Sequence, residues 1–402
     1  MDQTSTSLRP CPVCRSVKRS LLYRQSFEQL SRARLLNGYD VVVCRDCGAG
    51  FASGIPEQAV FDAYYRDLSK YDDRDNRPAE SHTVEPRFYS VADVVTPFIP
   101  DAGARVFEIG SGSGGLMKAL YERGFQNVCA SDPSPACVRA TQELHGIPAV
   151  AGTVFTVPKP EAPYDFLVLV GVMEHIRDLD RAVERFHELL RDGGRVYLEV
   201  PDASRYTPQQ DAPFQEFSLE HINFFSPESL ANLKQARGFR ALETGRTARP
   251  QHEITCPAAY GVFEKSEQSF PMKRDEQTEP GLQVYVEGCL QEDTRIRTLI
   301  GQATAPGESL IVWGVGAHTL RLLATGGLDP ARVSLFVDSN PNYQRQELCG
   351  VPVASPAALQ DRREPILISS RGFQREIQHQ IRNHMGLRNP LVVLYDTPLE
   401  GA

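Results

Sequence analysis

The chain has 402 residues, 41% of them hydrophobic and 23% charged, with nine cysteines and a formal net charge of −8. That length predicts two or three domains, and the acidic balance without any lysine- or arginine-rich tract argues against a nucleic-acid partner. No apolar run approaches the ~20 residues of a membrane span, and the first residues lack a signal peptide's apolar core, so the expectation is a cytoplasmic protein without a membrane partner.

Cys11-Pro-Val-Cys14 and Cys44-Arg-Asp-Cys47 form two C-x-x-C pairs in residues 1–55. Two residues between cysteines let both sulfurs face one ion, and two such pairs complete a tetrahedral thiolate site. A redox dithiol is the rival for one isolated pair. Two pairs in one small segment favour a structural zinc on Cys11, Cys14, Cys44 and Cys47, which folds the segment and does no chemistry. The spacer SLLYRQSF and the run YDVVVC read as strands. The other five cysteines are expected to be buried apolar residues.

Residues 56–100 read as a helical lid or linker. In Phe61 to Asp73 the aromatics recur partly at helical spacing. They either pack against the next domain or, through Tyr65 and Tyr71, line the acceptor site with an apolar face and a polar tip.

Residues 101–245 are organised around Val106 to Leu120, a short apolar run, a loop with glycines at 110, 112, 114 and 115, and a helical pattern. A second apolar run ends in Asp132. Glycine permits close backbone approach, a helix N-terminus offers free N–H groups, and an acid can grip a ribose diol. Gly110, Gly112, Gly115 and Asp132 also satisfy a dinucleotide fingerprint, with the acid roughly 20 residues on. Glu108 weighs against a diphosphate, which its charge would repel, and suits a ligand ammonium. Val150 to Pro158, with Thr153, is a third segment suited to an adenine edge. Tyr164 to Asp202 then reads as a buried strand, an amphipathic helix, a Gly-Gly turn and another buried strand.

This succession resembles the class I S-adenosylmethionine-dependent methyltransferases. The resemblance implies an α/β Rossmann-like core in which Glu108, Gly110, Gly112 and Gly114 hold the methionine part of the donor and Asp132 its ribose. Gly171 would be a further donor contact, at the end of a strand that faces the acceptor. His175, after that strand, either touches substrate or only begins the next helix.

Phe214 to Phe239 is a crossover rich in aromatics, with Ser226-Pro227-Glu228 as a helix start. Within it lies Glu220-His221-Ile222-Asn223. A histidine beside a carboxylate in a partly apolar site is a candidate general base near neutral pH. The alternative is that Glu220 and His221 only brace the crossover by hydrogen bonds.

Residues 246–305 read as a connecting segment ending in a helix, and 306–402 as a second, C-terminal Rossmann-like α/β unit with Gly314, Gly316 and Asp338. That unit either touches a ligand or keeps the fold without one.

A two-knuckle zinc segment, a methyltransferase core with E-H-I-N and such a C-terminal unit resemble the sugar C-methyltransferases of nucleotide-linked keto-sugars. The resemblance implies His221 as the base that removes the proton alpha to a ketone, with Glu220 beside it and Asn223 and His252 as substrate contacts. Departures bear on the acceptor. Arg249 to Thr255 replaces the family's His-Gly-Gly-Ser, keeping only His252, and YYRDLSKYDD replaces its tyrosine segment. The open alternatives are O- or N-methylation of another small acceptor and an NAD-dependent oxidoreductase or epimerase.

Overall fold

The structure, a computed structural model, describes residues 8–30, 35–68, 85–209, 211–251, 254–303 and 307–395. Near the N-terminus, β1 (Arg19–Ser26), β2 (Gly38–Cys44) and β3 (Gly50–Ser53) form an antiparallel sheet. Helices α1 (Gln58–Leu68) and α2 (Pro86–Val95) follow.

The central unit alternates β4 (Val106–Ile109), α3 (Gly115–Glu122), β5 (Val128–Asp132), α4 (Pro135–His145), β6 (Ala149–Ala151), β7 (Tyr164–Val170), α5 (Leu179–Leu189) and β8 (Leu190–Pro201). Its central strand β7 carries a continuous Phe, Leu and Val run, as a parallel strand covered on both faces requires. Phe166, Leu167, Val168 and Leu169 in β7 are all fully buried. Local signals cap the helices. Ser134 accepts from the Cys137 N–H with proline next in line, and Asp178 accepts from the Arg181 N–H.

After β8 come β9 (Asn223–Phe224), α6 (Pro227–Gln235), and a long hairpin of β10 (Phe239–Gln251) and β11 (Ile254–Lys265). Ser226 and Ser229 form the expected capped start of α6. The hairpin corrects one expectation, since residues 246–265 are not a connector. β11 pairs antiparallel with β8, giving a seven-stranded sheet in the order β10-β11-β8-β7-β4-β5-β6. The polar tract Glu243 to Gln251 hides this, because β10 is an edge strand and its pattern carries little hydrophobic alternation.

The remaining connector is one helix, α7 (Thr278–Gln302). Beyond it lie β12 (Leu310–Trp313), α8 (Ala317–Arg321), β13 (Val333–Val337), β14 (Glu347–Leu348), β15 (Val351–Ala354), β16 (Ile366–Ile368), α9 (Gln374–His379) and β17 (Leu391–Val393). They build a second sheet in the order β14-β15-β13-β12-β16-β17, parallel except for β14. One apolar core runs from Phe27 and Tyr39 in the N-terminal segment through Phe214 and Phe217 to Leu310 and Phe336. The second sheet is therefore packed onto the crossover. Arg321 of α8, 1% exposed, pairs bidentately with Asp293 of α7 at 2.7 Å.

The N-terminal sheet gains its fourth strand from the crossover, for β9 pairs with β3 through Phe51 opposite Asn223. Arg9 locks this junction. Its guanidinium donates to the carbonyls of Ala52 (2.9 Å), Arg177 (3.2 Å) and Ile222 (2.6 Å) and to Asn223 Oδ1 (2.8 Å). Among the described residues, no helix is long and apolar enough to cross a membrane.

Candidate active site

Ligands of open α/β sheets bind beyond the carboxyl ends of the strands where the strand order reverses, here between β4 and β7. The loop after β4 turns through three left-handed glycines, Gly110 (φ 79°), Gly112 (φ 53°) and Gly114 (φ 81°). A Cβ on Gly110 would stand 2.6 Å from Val172 Cγ2 and one on Gly114 2.5 Å from Thr141, whereas one on Gly112 would meet nothing within 4 Å. The loop is thus pressed against its neighbours on two sides and open on the third. Asp132 ties it to β5: one carboxylate oxygen accepts from the Gly112 N–H (2.8 Å) and the other from Ser134 N–H (2.9 Å).

Glu108 at the end of β4 is 3% exposed, and its Oε2 has no hydrogen-bond partner. Burial, with the Asp132 charge beside it, pushes its carboxyl up to about 8. A buried carboxylate without a partner is costly, and a cationic ligand group relieves that cost. Thr153 follows β6 and caps its own turn, with its Oγ1 accepting from the Phe155 N–H at 3.2 Å.

Gly171 ends β7 with φ 69°, and its N–H donates to the Glu199 carbonyl at 2.8 Å. A Cβ there would lie 3.3 Å from Arg249 Nη1 and 3.5 Å from Glu174 Oε1. Glu174 is 2% exposed, burial raises its carboxyl, and its Oε2 has no hydrogen-bond partner. Arg249 comes from β10 and is held by Glu199, to which its Nε donates at 2.9 Å.

The crossover closes over this end of the sheet. His175 Nδ1 lies 3.0 Å from the Glu220 carbonyl, and its Nε2 is 3.9 Å from Glu174 Oε1. The rings of His175 and His221 are 5.0 Å apart, and Tyr65 stands edge-on to His175 at 5.8 Å. Tyr64 donates to Glu220 Oε1 at 3.3 Å. His221 Nδ1 faces Glu216 Oε2 at 3.7 Å. His175, His221, Glu220 and Tyr65 thus lie together at this end of the sheet. Tyr71 and His252 lie outside the described residues.

Two expectations change. Asn223 is 1% exposed, and its amide donates to the carbonyls of Met173 and Ile176, both at 2.8 Å, while its Oδ1 accepts from Arg9. Its polar atoms are spent on the crossover, so it is a brace and not an open substrate contact. Glu216 Oε2 faces His221 Nδ1, a Glu174 oxygen lies within 4.8 Å of a His221 ring nitrogen, and Glu220 accepts from Tyr64. Sequence reading gave Arg249 and Tyr64 no role in the site. An acid among aromatics, as in Phe214-Gln-Glu216-Phe, was a usable signal; Arg249 in a polar edge strand offered none.

Away from this site, the four N-terminal thiols lie within 4.8 Å of one another. Cys11 and Cys47 Sγ are 3.6 Å apart, and Cys14 and Cys44 Sγ 3.4 Å. Four sulfurs each about 2.3 Å from one ion would be separated by about 3.8 Å, so the set fits a tetrahedral zinc.

A family model described as a methyltransferase domain matches residues 84–244. The chain is 29% identical over 115 residues to the ubiquinone biosynthesis O-methyltransferase of Xylella fastidiosa, a match covering 27% of this chain and 46% of that protein. It is also 29% identical over 165 residues to an uncharacterized methyltransferase of Mycobacterium tuberculosis, covering 35% of this chain and 67% of the relative. The first relative is thus spanned over less than half its length. Among solved structures, the 1,6-didemethyltoxoflavin-N1-methyltransferase of Burkholderia thailandensis, crystallised with S-adenosylhomocysteine, is 20% identical with a TM-score of 0.41, covering 56% of this chain and 98% of that one. The central unit thus matches a methyltransferase domain over residues 84–244 and has an α/β Rossmann-like fold.

Proposed function

We propose that the protein is an S-adenosylmethionine-dependent methyltransferase of a small-molecule acceptor, and that it C-methylates a nucleotide-linked keto-sugar or a related biosynthetic intermediate. The observation that carries the donor assignment is the buried, unpartnered Glu108 oxygen under a glycine loop whose open side is Gly112. Glu108 would take the donor's ammonium, the loop N–H groups its carboxylate, Asp132 its ribose, and the turn at Thr153 its adenine edge. When bound, S-adenosylmethionine supplies an electrophilic methyl group on a sulfonium.

The acceptor side is the histidine cluster. His221 removes a proton from the acceptor, leaving a nucleophile aligned with the methyl group. For a keto-sugar the proton is the one alpha to the ketone, and the electron pair of the broken C–H bond becomes the enolate. His175, Tyr65 and Glu220 hold the acceptor beside it. The same base serves O- or N-methylation, and the ubiquinone O-methyltransferase relative favours oxygen as the second reading. Cys11, Cys14, Cys44 and Cys47 hold a structural zinc that fastens the N-terminal sheet.

A thermal-shift titration with S-adenosylhomocysteine, run beside NAD, tests the donor. Ligand at 100 times its dissociation constant should stabilise by about 2.7 kcal/mol. A shift with NAD alone would replace this reading by an oxidoreductase.

A further inference from the structure

Helix α7 and the second sheet reach the histidine cluster through one short turn. Phe214 is held at φ 59°, a left-handed conformation that non-glycine residues rarely adopt. Three contacts fix it there. Its N–H donates to Cys289 Sγ of α7 (3.2 Å), its ring stacks on Tyr23 (4.2 Å), and the Arg321 guanidinium lies over it (5.2 Å). Two residues on, the Glu216 N–H donates to the Tyr285 hydroxyl of α7 at 3.1 Å. This strained, doubly anchored turn aims the Glu216 carboxylate at His221 Nδ1. His221 is fixed in turn, its N–H donating to Ser218 Oγ at 3.2 Å.

We propose that Glu216 is the positioning carboxylate of His221: facing Nδ1 at ion-pair distance, 3.7 Å, it stabilises the imidazolium that forms when the ring takes the acceptor's proton. This rests on the methyltransferase reading and deepens it. A carboxylate close to a histidine ring is a general way to favour the imidazolium and raise the ring's basicity. Glu216 sits among Asp211 and Tyr206 of its own crossover, Glu174 beyond β7, Arg249 of β10, Cys256 of β11 and Tyr285 of α7. Burial, then the charges of Asp211 and Glu174, push its carboxyl up to about 8 against the pull of Arg249. A protonated His221 ring facing it favours the ionised carboxylate, and this role requires an ionised Glu216 beside the imidazolium.

The test is an NMR titration of the histidine Cε1–H signals in the full chain with S-adenosylhomocysteine added, the His221 signal being assigned with His221→Gln. In Glu216→Gln the His221 midpoint should fall by about one pH unit or more, because an opposite charge at this distance shifts a titration by roughly that much. Glu216→Asp should restore part of the difference, and Glu220→Gln should leave the midpoint in place. An unmoved midpoint in Glu216→Gln, or a fall in Glu220→Gln instead, overturns the proposal. If Glu216→Gln does not fold, the same comparison is read from Glu216→Asp, where an unmoved midpoint overturns it equally. The readout needs no acceptor. A shifted midpoint in a chain that transfers no methyl group would therefore sink the methyltransferase reading and leave the pairing intact.

Discussion

Glu108 and Asp132 end two adjacent parallel strands, and burial, with the charge of the second, pushes the carboxyl of the first up to about 8. A carboxyl raised in the folded state contributes stability that is fully present below its unfolded value and is lost as the pH rises through about 8. The melting temperature of the ligand-free protein should therefore fall between pH 5 and 9, as an order-of-magnitude window, more steeply than that of Glu108→Gln. A donor ammonium favours the ionised form. Calorimetry with S-adenosylhomocysteine near pH 7 in buffers of different ionisation enthalpy should then report proton release, absent in Glu108→Gln. Equal proton counts in the two proteins would remove Glu108 from the donor site.

His221→Ala separates donor binding from chemistry. Its affinity for S-adenosylhomocysteine should stay within about twofold of wild type, while single-turnover methyl transfer to an accepted substrate falls by about 10²–10⁴-fold. Unchanged transfer would return His221 to the role of a crossover brace.

Asn223→Ala strands the Met173 and Ile176 carbonyls and part of the Arg9 guanidinium in a dry interior. Each buried group so left costs about 1–3 kcal/mol. Chemical denaturation should show a loss of that order or more, with affinity for S-adenosylhomocysteine nearly preserved. A variant of normal stability with a weakened Michaelis constant would make Asn223 the substrate contact first expected.

Metal analysis of freshly purified protein should give about one zinc per chain, lost in Cys44→Ser. Because β3 carries β9 as its neighbour, chelation should lower turnover through His221 while leaving donor affinity close to normal. Well under one zinc per chain would remove the metal, and equal turnover with and without it would uncouple the N-terminal sheet from the crossover.

The parts read directly from the chain are those whose chemistry is local. The C-x-x-C pairs, the glycine loop with Glu108 and Asp132, the capped starts of α4 and α6, and the buried strands β7 and β8 each depend on residues a few positions apart. Spacing in the sequence is then spacing in space. The E-H-I-N stretch was equally legible as a place, but not the work of its members. Glu216 faces His221 only because α7, some 70 residues on by the span of its hydrogen bond, fixes the turn at Phe214. Arg249 reaches Gly171 only because the β10–β11 hairpin joins the central sheet. Asn223 is occupied only because β9 completes the N-terminal sheet under Arg9. These are long-range pairings between surfaces buried together by the fold. A polar side chain's partner across such a surface depends on which strands and helices meet, and no periodicity along the chain encodes it.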